Sequence, residues 1–516
     1  MSSRHPAPPR SWLAQLDSGA VLVFTLFAAI FGLAAHEIGD PDYWWHLRTG
    51  QWIVTNGTVP TADPFSHTSL GKPWLPHEWL PDVAFYLLHS RFGPAGPIFL
   101  SATLITLTHV LLYRLVRLRG APRALAVVVT TLAAAAGSIM WEVRPQLATT
   151  TLTVVFLTVL EDFRGGRSRR LWLLPPLMLV WANSHGGFLL GVLLCGAYLV
   201  GTVVSDALQW QPPRLRLQRL GDYLAILRKL SAGPARSLLW TTLATAVAAV
   251  VTPYGWEGVV YPFGTLGSPA MQAFIDEWFS PDFHRIEFKP FEALLLLTVA
   301  ALALARRSLE PVELILLAGS AYMALESRRH IPFFAFVSAP ILAQQLVAVG
   351  ERWGWRPSPD ARVGVKLPLA GLNLLLLAIV AGVLAWRASS GLSAVANAQL
   401  QHQQFPVAAI EYVRASPPPG RMFNTYAWGG YLIWQLWPQQ LVFIDGRADV
   451  HGDQLLYEYV ATYGARGDWQ ATFDRHGVEW TLIERGSPLA SVLAASPSWR
   501  RLYADDQAVI FGRQSR

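Results

Sequence analysis

The chain has 516 residues, 52% of them hydrophobic and only 15% charged, with a net charge of +7 and a positive mean hydropathy. A soluble protein carries charge on about a quarter of its residues, so this composition argues against a soluble cytosolic enzyme. The basic residues sit in short clusters between apolar runs and not on one face, which argues against a nucleic-acid partner and for a role in orientation.

In chain order, charge-free runs occupy Gly19–Ala35, Ala95–Leu112, Ala124–Trp141, Pro145–Leu160, Leu171–Ser205, Ser237–Trp256, Ile331–Gly350 and Leu367–Trp386. A helix needs about 20 apolar residues to cross the ~30 Å hydrocarbon layer, and most of these runs approach that length. The first follows Arg4 and Arg10 and ends in the cleavage-like Leu33-Ala34-Ala35, but with more spans behind it, it reads as a retained helix. Clusters at Arg114/Arg117/Arg119/Arg123, Arg164/Arg167/Arg169/Arg170, Arg214 to Arg236, Arg306/Arg307 and Arg352/Arg356/Arg362/Lys366 place their segments, and the N-terminus, in the cytoplasm. Crossings between neighbouring clusters must then be even in number. Parity makes Leu171–Ser205 a tight hairpin turning at Asn183-Ser184-His185-Gly186-Gly187, and it demotes Glu78–Arg91 to an interfacial helix. The expected fold is mainly α, with about 11 membrane crossings and a C-terminal extracytoplasmic α/β domain. The domains would be 1–386, with a first extracytoplasmic loop 36–94 and a later loop 254–289, and 387–516. The lone Cys195 lies in an apolar run and leaves no disulfide for the outer parts. Arg far outnumbers Lys, which hints at a GC-rich bacterial genome.

The first loop concentrates acid-base chemistry: Glu37, Asp40, Asp42, Asp63, Glu78 and Asp82, with His36, His46, His67, His77 and His89. Proline in a first turn and acids beside a helix N-terminus are favourable, so Asp40-Pro41-Asp42 predicts a helix starting near Asp42. Its Trp44, Trp45 and Trp52 would lie at headgroup level, and Asp42 and His46, four apart, would share a face. An acid there is either a cap or, at a boundary where burial tunes its pKa, a general base or metal ligand. Arg144, at a hairpin tip beside Glu142, and Arg328-Arg329-His330 lie outside in this topology, where positive charge is disfavoured; lipid phosphates are the plainer partner for Arg328 and Arg329. Glu277, in Asp276-Glu277-Trp278, is a candidate partner from the later loop. The tail alternates helical and strand patterns: Pro406–Ala415, Arg421–Asn424, Leu441–Ile444, Gln454–Tyr463, Trp480–Ile483 and Arg501–Phe511, the last as strand material. Trp428, Tyr431 and Arg447 either meet an acceptor or fill the tail's core.

Asp42, Arg48 and Asn56-Gly57 resemble the first-loop motif of the catalytic subunit of oligosaccharyltransferase, a GT-C fold glycosyltransferase dependent on polyprenyl phosphate. Trp428-Gly429-Gly430-Tyr431 and Ile444-Asp445-Gly446-Arg447 are loosely similar to the start of that family's soluble domain, and the plan resembles the protein O-mannosyltransferase and lipid A aminoarabinose transferase relatives. Asp40-Pro41-Asp42-Tyr43-Trp44-Trp45-His46, Ala62-Asp63-Pro64-Phe65-Ser66, His77-Glu78-Trp79, Arg144-Pro145-Gln146, Trp181-Ala182-Asn183 and Phe423-Asn424-Thr425-Tyr426 resemble bacterial glycosyltransferase-like membrane proteins along nearly the whole chain. The resemblance implies transfer of a sugar from a polyprenyl-phosphate donor at the outer face of the bacterial cytoplasmic membrane. Asp42, with Asp40, would be the base or a ligand for a divalent metal (Mg or Mn) shared with Glu277. His46, His77 and Glu78 would support it, while Arg144, Arg328 and Arg329 would neutralise phosphate. Gly429 and Gly430 follow Trp428 where that family has a further Trp and an Asp, so recognition of an asparagine sequon is not implied. A lipid-linked-sugar flippase, or an envelope scaffold, is the reading from another class.

Overall fold

The computed structural model describes residues 17–209, 233–355 and 367–514. Arg4, Arg10, most of the Arg214 to Arg236 cluster, and Arg356, Arg362 and Lys366 lie outside these. Eight α-helices open the described residues: α1 Ser18–Ala34, α2 Tyr43–Asn56, α3 Trp79–Phe92, α4 Ala95–Leu118, α5 Arg123–Gly137, α6 Gln146–Arg164, α7 Leu174–Ala182 and α8 Leu189–Gln209. Asp17 caps α1 by accepting from the Ala20 N–H at 2.7 Å, and the same carboxylate pairs with Arg123 at the head of α5. Helices Gly233–Ala248, Lys289–Ala305, Pro311–Glu326, Ile331–Arg352 and Leu367–Leu392 complete the apolar body.

Among the described residues, six helical segments are long and apolar enough to cross a bilayer: Ala95–Leu118, Arg123–Met140, Gly186–Ala207, Ile286–Ala305, Arg328–Arg352 and Leu369–Leu392. The chain is therefore a multi-pass membrane protein. Leu372, Leu375, Ile379, Val383 and Trp386 stand exposed on the last of these, which in a bilayer is a lipid-facing surface. The expected hairpin does turn at Asn183–Gly187, but its first arm is only Leu171–Ala182, about 18 Å of rise where a full crossing needs ~30 Å.

The tail folds as a four-stranded sheet in the order β1-β2-β4-β3, with β1 Arg421–Asn424, β2 Val478–Glu484, β3 Trp499–Ala504 and β4 Ala508–Arg513. Strand β1 runs parallel to β2; the other pairs are antiparallel. Arg501–Phe511 is thus not one strand: Asp505 accepts from the Gln507 and Ala508 N–H groups and turns the chain between β3 and β4. Leu441–Ile444 joins no tail strand. Val442 exchanges backbone bonds with Phe65 and His67 of the first loop, and the buried amide of Asn424 accepts from the Phe443 N–H at 2.8 Å. Tail and first loop share one apolar core in which Trp44 and Trp45 are buried; Trp44 sits edge-on to Tyr431 and Phe405, at 5.0 and 6.1 Å between ring centroids. The expectation of both rings at headgroup level is corrected: the tail covers the face of α2 that would otherwise meet lipid.

Candidate active site

Three separate segments deliver the ionic cluster at the centre of the site. Asp40 precedes Pro41 and accepts from the Asp42 N–H at 2.8 Å, fixing the turn into α2. Asp42 occupies the N-cap position, yet its side chain caps nothing in the helix. Instead both carboxylates face Arg144, which sits on a bend just before Pro145 and α6. Its Nε lies 3.0 Å from Asp40 Oδ2, its Nη2 2.6 Å from Asp42 Oδ2, and its Nη1 donates to Glu277 from the later loop. Glu142 does not hold this guanidinium: its backbone oxygen accepts from the Arg144 N–H, and one carboxylate oxygen is buried without a partner. The Asp40 side chain is 5% exposed, against 19%, 21% and 23% for Asp42, Arg144 and Glu277, so the last three remain reachable.

One guanidinium cannot neutralise three carboxylates away from water. Burial pushes Asp40 up to about 8 against the pull of Arg144. Burial also raises Asp42, with Arg144 opposing and the charge of Glu277 adding to the rise. Burial would raise Glu277 as well, but Arg144 and Arg329 together hold it below its usual value. Burial works against the charge on Arg144, and Asp40, Glu277 and Asp42 outweigh it, so the guanidinium stays ionised.

Behind Asp42, His46 turns away to Asp82, with Nδ1 2.7 Å from Oδ1. Its Nε2 faces Glu78 at 3.7 Å, while the Nε2 atoms of His77 and His185 approach the other Glu78 oxygen at 3.7 and 3.6 Å. The His185 Nδ1 accepts from the Gly187 N–H at 3.0 Å, which assigns the ring proton to Nε2, facing Glu78. Burial lowers His46 and His185 and raises Glu78 and Asp82, so the cluster is built to be neutral. Sequence reasoning treated His185 only as part of a turn. Its signal was an imidazole inside a 35-residue run without charges.

Arg328 pairs with Asp276, and Arg329 lies over the Trp278 ring at 4.4 Å, so both dock on the later loop. Among the described residues Arg329 makes no ion pair. Arg447 is buried: two of its nitrogens donate to Asp445 and a third to Asp63, each at 2.7 Å, with the guanidinium over Trp74 at 4.6 Å. Trp428 and Tyr431 are buried too, and Trp428 Nε1 donates to the Gln404 carbonyl. Against the expectation that these three meet an acceptor, each is occupied within the protein: Arg447 holds Asp445 and Asp63, Tyr431 packs on Trp44 and Phe405, and Trp428 is bonded within the tail. The joint between tail and first loop presses Gly446 against Asp42, where a Cβ would lie 1.7 Å from Oδ1.

Asp42 and Glu277 were expected as ligands of a divalent cation. Among the described residues no three His, Cys, Asp or Glu side chains are arranged to hold one. Asp40, Asp42 and Glu277 direct oxygens at Arg144, so these residues do not fit a resident ion while that side chain lies between them.

Compared by sequence, the chain matches no family model and no curated protein. Compared by structure, it matches an oligosaccharyltransferase of Archaeoglobus fulgidus tethered to an acceptor peptide containing the NVT sequon, with TM-score 0.54, 14% identity, and coverage of 91% of this chain and 69% of that one. It also matches AglB of the same organism in complex with an inhibitory peptide and a dolichol-phosphate, with TM-score 0.51, 13% identity and coverage of 92% and 70%. ArnT of Cupriavidus metallidurans in the apo state gives TM-score 0.50, 13% identity and coverage of 96% and 98%.

Proposed function

We propose that this chain, which has the GT-C fold of those glycosyltransferases, is a membrane glycosyltransferase that moves a sugar from a polyprenyl-phosphate donor to an acceptor on the extracytoplasmic face. The observation that carries the reading is the convergence of ionisable groups from positions 40–42, 144, 277 and 329 beside the ends of apolar helices. Such a place gives one substrate a route through lipid and the other a route through water. The dolichol-phosphate bound to AglB supports a lipid phosphate as the donor's carrier.

Asp42 removes the acceptor proton as the acceptor oxygen bonds to the sugar's anomeric carbon. The bond from that carbon to the phosphate oxygen breaks, and its electron pair leaves with the polyprenyl phosphate. Arg329, which among the described residues makes no ion pair, is the cation suited to the developing phosphate charge. Arg144 has given its nitrogens to carboxylates and positions Asp42 instead. His46, His77, His185 and Glu78 hold the loop behind the base. In the membrane the N-terminus is proposed to lie in the bacterial cytoplasm and residues 387–516 outside it, packed on the first loop.

The test is purified protein reconstituted with radiolabelled polyprenyl-phosphate sugars, wild type beside Asp42→Asn. Loss of about 10²-fold or more in sugar release is expected. Equal release by both removes Asp42 from the mechanism, and no release with any donor favours a transporter or a scaffold.

A further inference from the structure

We infer that Arg144 is a built-in cation: its guanidinium takes the place of a divalent ion among Asp40, Asp42 and Glu277, and removing the side chain opens a metal site that the wild-type protein lacks. For its catalytic meaning the inference rests on Asp42 as the base; for binding it stands alone.

Each guanidinium nitrogen serves a different carboxylate: Nε serves Asp40, Nη2 Asp42 and Nη1 Glu277. Two of these acids come from the turn before α2. The third comes from a loop 133 residues beyond Arg144, so the cation is what holds separate segments to one point. A guanidinium does this with a fixed charge and a planar fork of donors, and needs no ion from solution. A hard divalent cation would take the same oxygens at about 2.0–2.6 Å. The bend that carries Arg144 is itself fixed: Val143 is buried, the Arg144 N–H donates to the Glu142 carbonyl, and the Arg144 carbonyl accepts from Leu147. Truncation therefore leaves the acids around a vacated position.

The experiment is Mn2+ titration of the purified full chain, read by electron paramagnetic resonance and by thermal unfolding. Wild type is expected to bind no Mn2+ at this site. Arg144→Ala is expected to bind Mn2+ with a Kd at least about tenfold below the highest concentration at which wild type shows none, and to gain thermal stability with it, and Glu277→Gln in the same background is expected to abolish both. Failure of Arg144→Ala to gain Mn2+ overturns the inference. So does wild-type binding that Glu277→Gln removes, a result independent of whether Arg144→Ala folds. A strut without a cation's role would not be replaced by an ion. Sugar release absent from every form would overturn the transferase reading and leave these binding outcomes intact.

Discussion

Asp40 and Asp42 sit two residues apart with different burdens. A base must be ionised to accept a proton, and burial raises Asp42 above the usual carboxylate range. Activity is therefore expected to fall on the acid side from a pH above that range, and a kcat/KM profile whose acid limb lies near the ordinary Asp value of about 3.9 would contradict the assignment. Asp40 has the opposite use. Its proton is held more tightly in the folded chain, at about 8, than in the unfolded one, at 3.8. The stability this gives is complete below the lower value and is lost as pH rises through the upper one. Asp40→Asn is expected to flatten the decline of thermal stability across that window, as followed by unfolding of the solubilised protein at stepped pH. Asp42, Arg144 and Glu277 could each be singled out in the sequence as candidates, although a helix cap or a solvated loop acid was an equally available reading of the carboxylates. Their mutual contact could not be read there. Arg144 is separated from Asp42 by 102 residues and from Glu277 by 133, and nothing local encodes the meeting.

Elements explain why the tail matters. Residues 445–447 bring a paired Asp and Arg on either side of Gly446, the one residue type that fits against Asp42. Gly446→Ala is expected to force a shift costing about 1–3 kcal/mol of stability and to lower sugar release more than the stability loss explains. The measurement is thermal unfolding and initial rate on the same preparation. Arg447→Met leaves Asp445 and Asp63 buried without their shared cation, and a loss of about 3–5 kcal/mol is expected in denaturant unfolding. The strands β1 and β2 were readable as short apolar runs with aromatic or β-branched residues. Leu441–Ile444 had the same pattern, but its partner is the first loop, a choice made by tertiary contact and Asn424. Trp44 misled for a related reason: an aromatic pair beside a membrane helix looks the same in sequence whether lipid or another domain covers it.

For the whole molecule, low charge and charge-free runs were enough to read a multi-pass membrane protein with a folded tail. Crossing number was harder, since a run such as Leu171–Ser205 does not disclose that only 12 of its residues precede the turn as apolar helix. Reporters fused after Arg307 and at the C-terminus are expected to be active on opposite sides of the membrane; activity on the same side would overturn the proposed orientation.

The joint between tail and first loop has one more consequence. Arg447 grips Asp63, Val442 exchanges backbone bonds with Phe65 and His67, His67 also meets the Met422 carbonyl, and Thr68 donates to the Phe443 carbonyl. Peptide continuity through the exposed Ala415–Pro417 link is then redundant for assembly. A protease nick there should yield two fragments that travel as one particle on a native gel and part only in detergent strong enough to denature them.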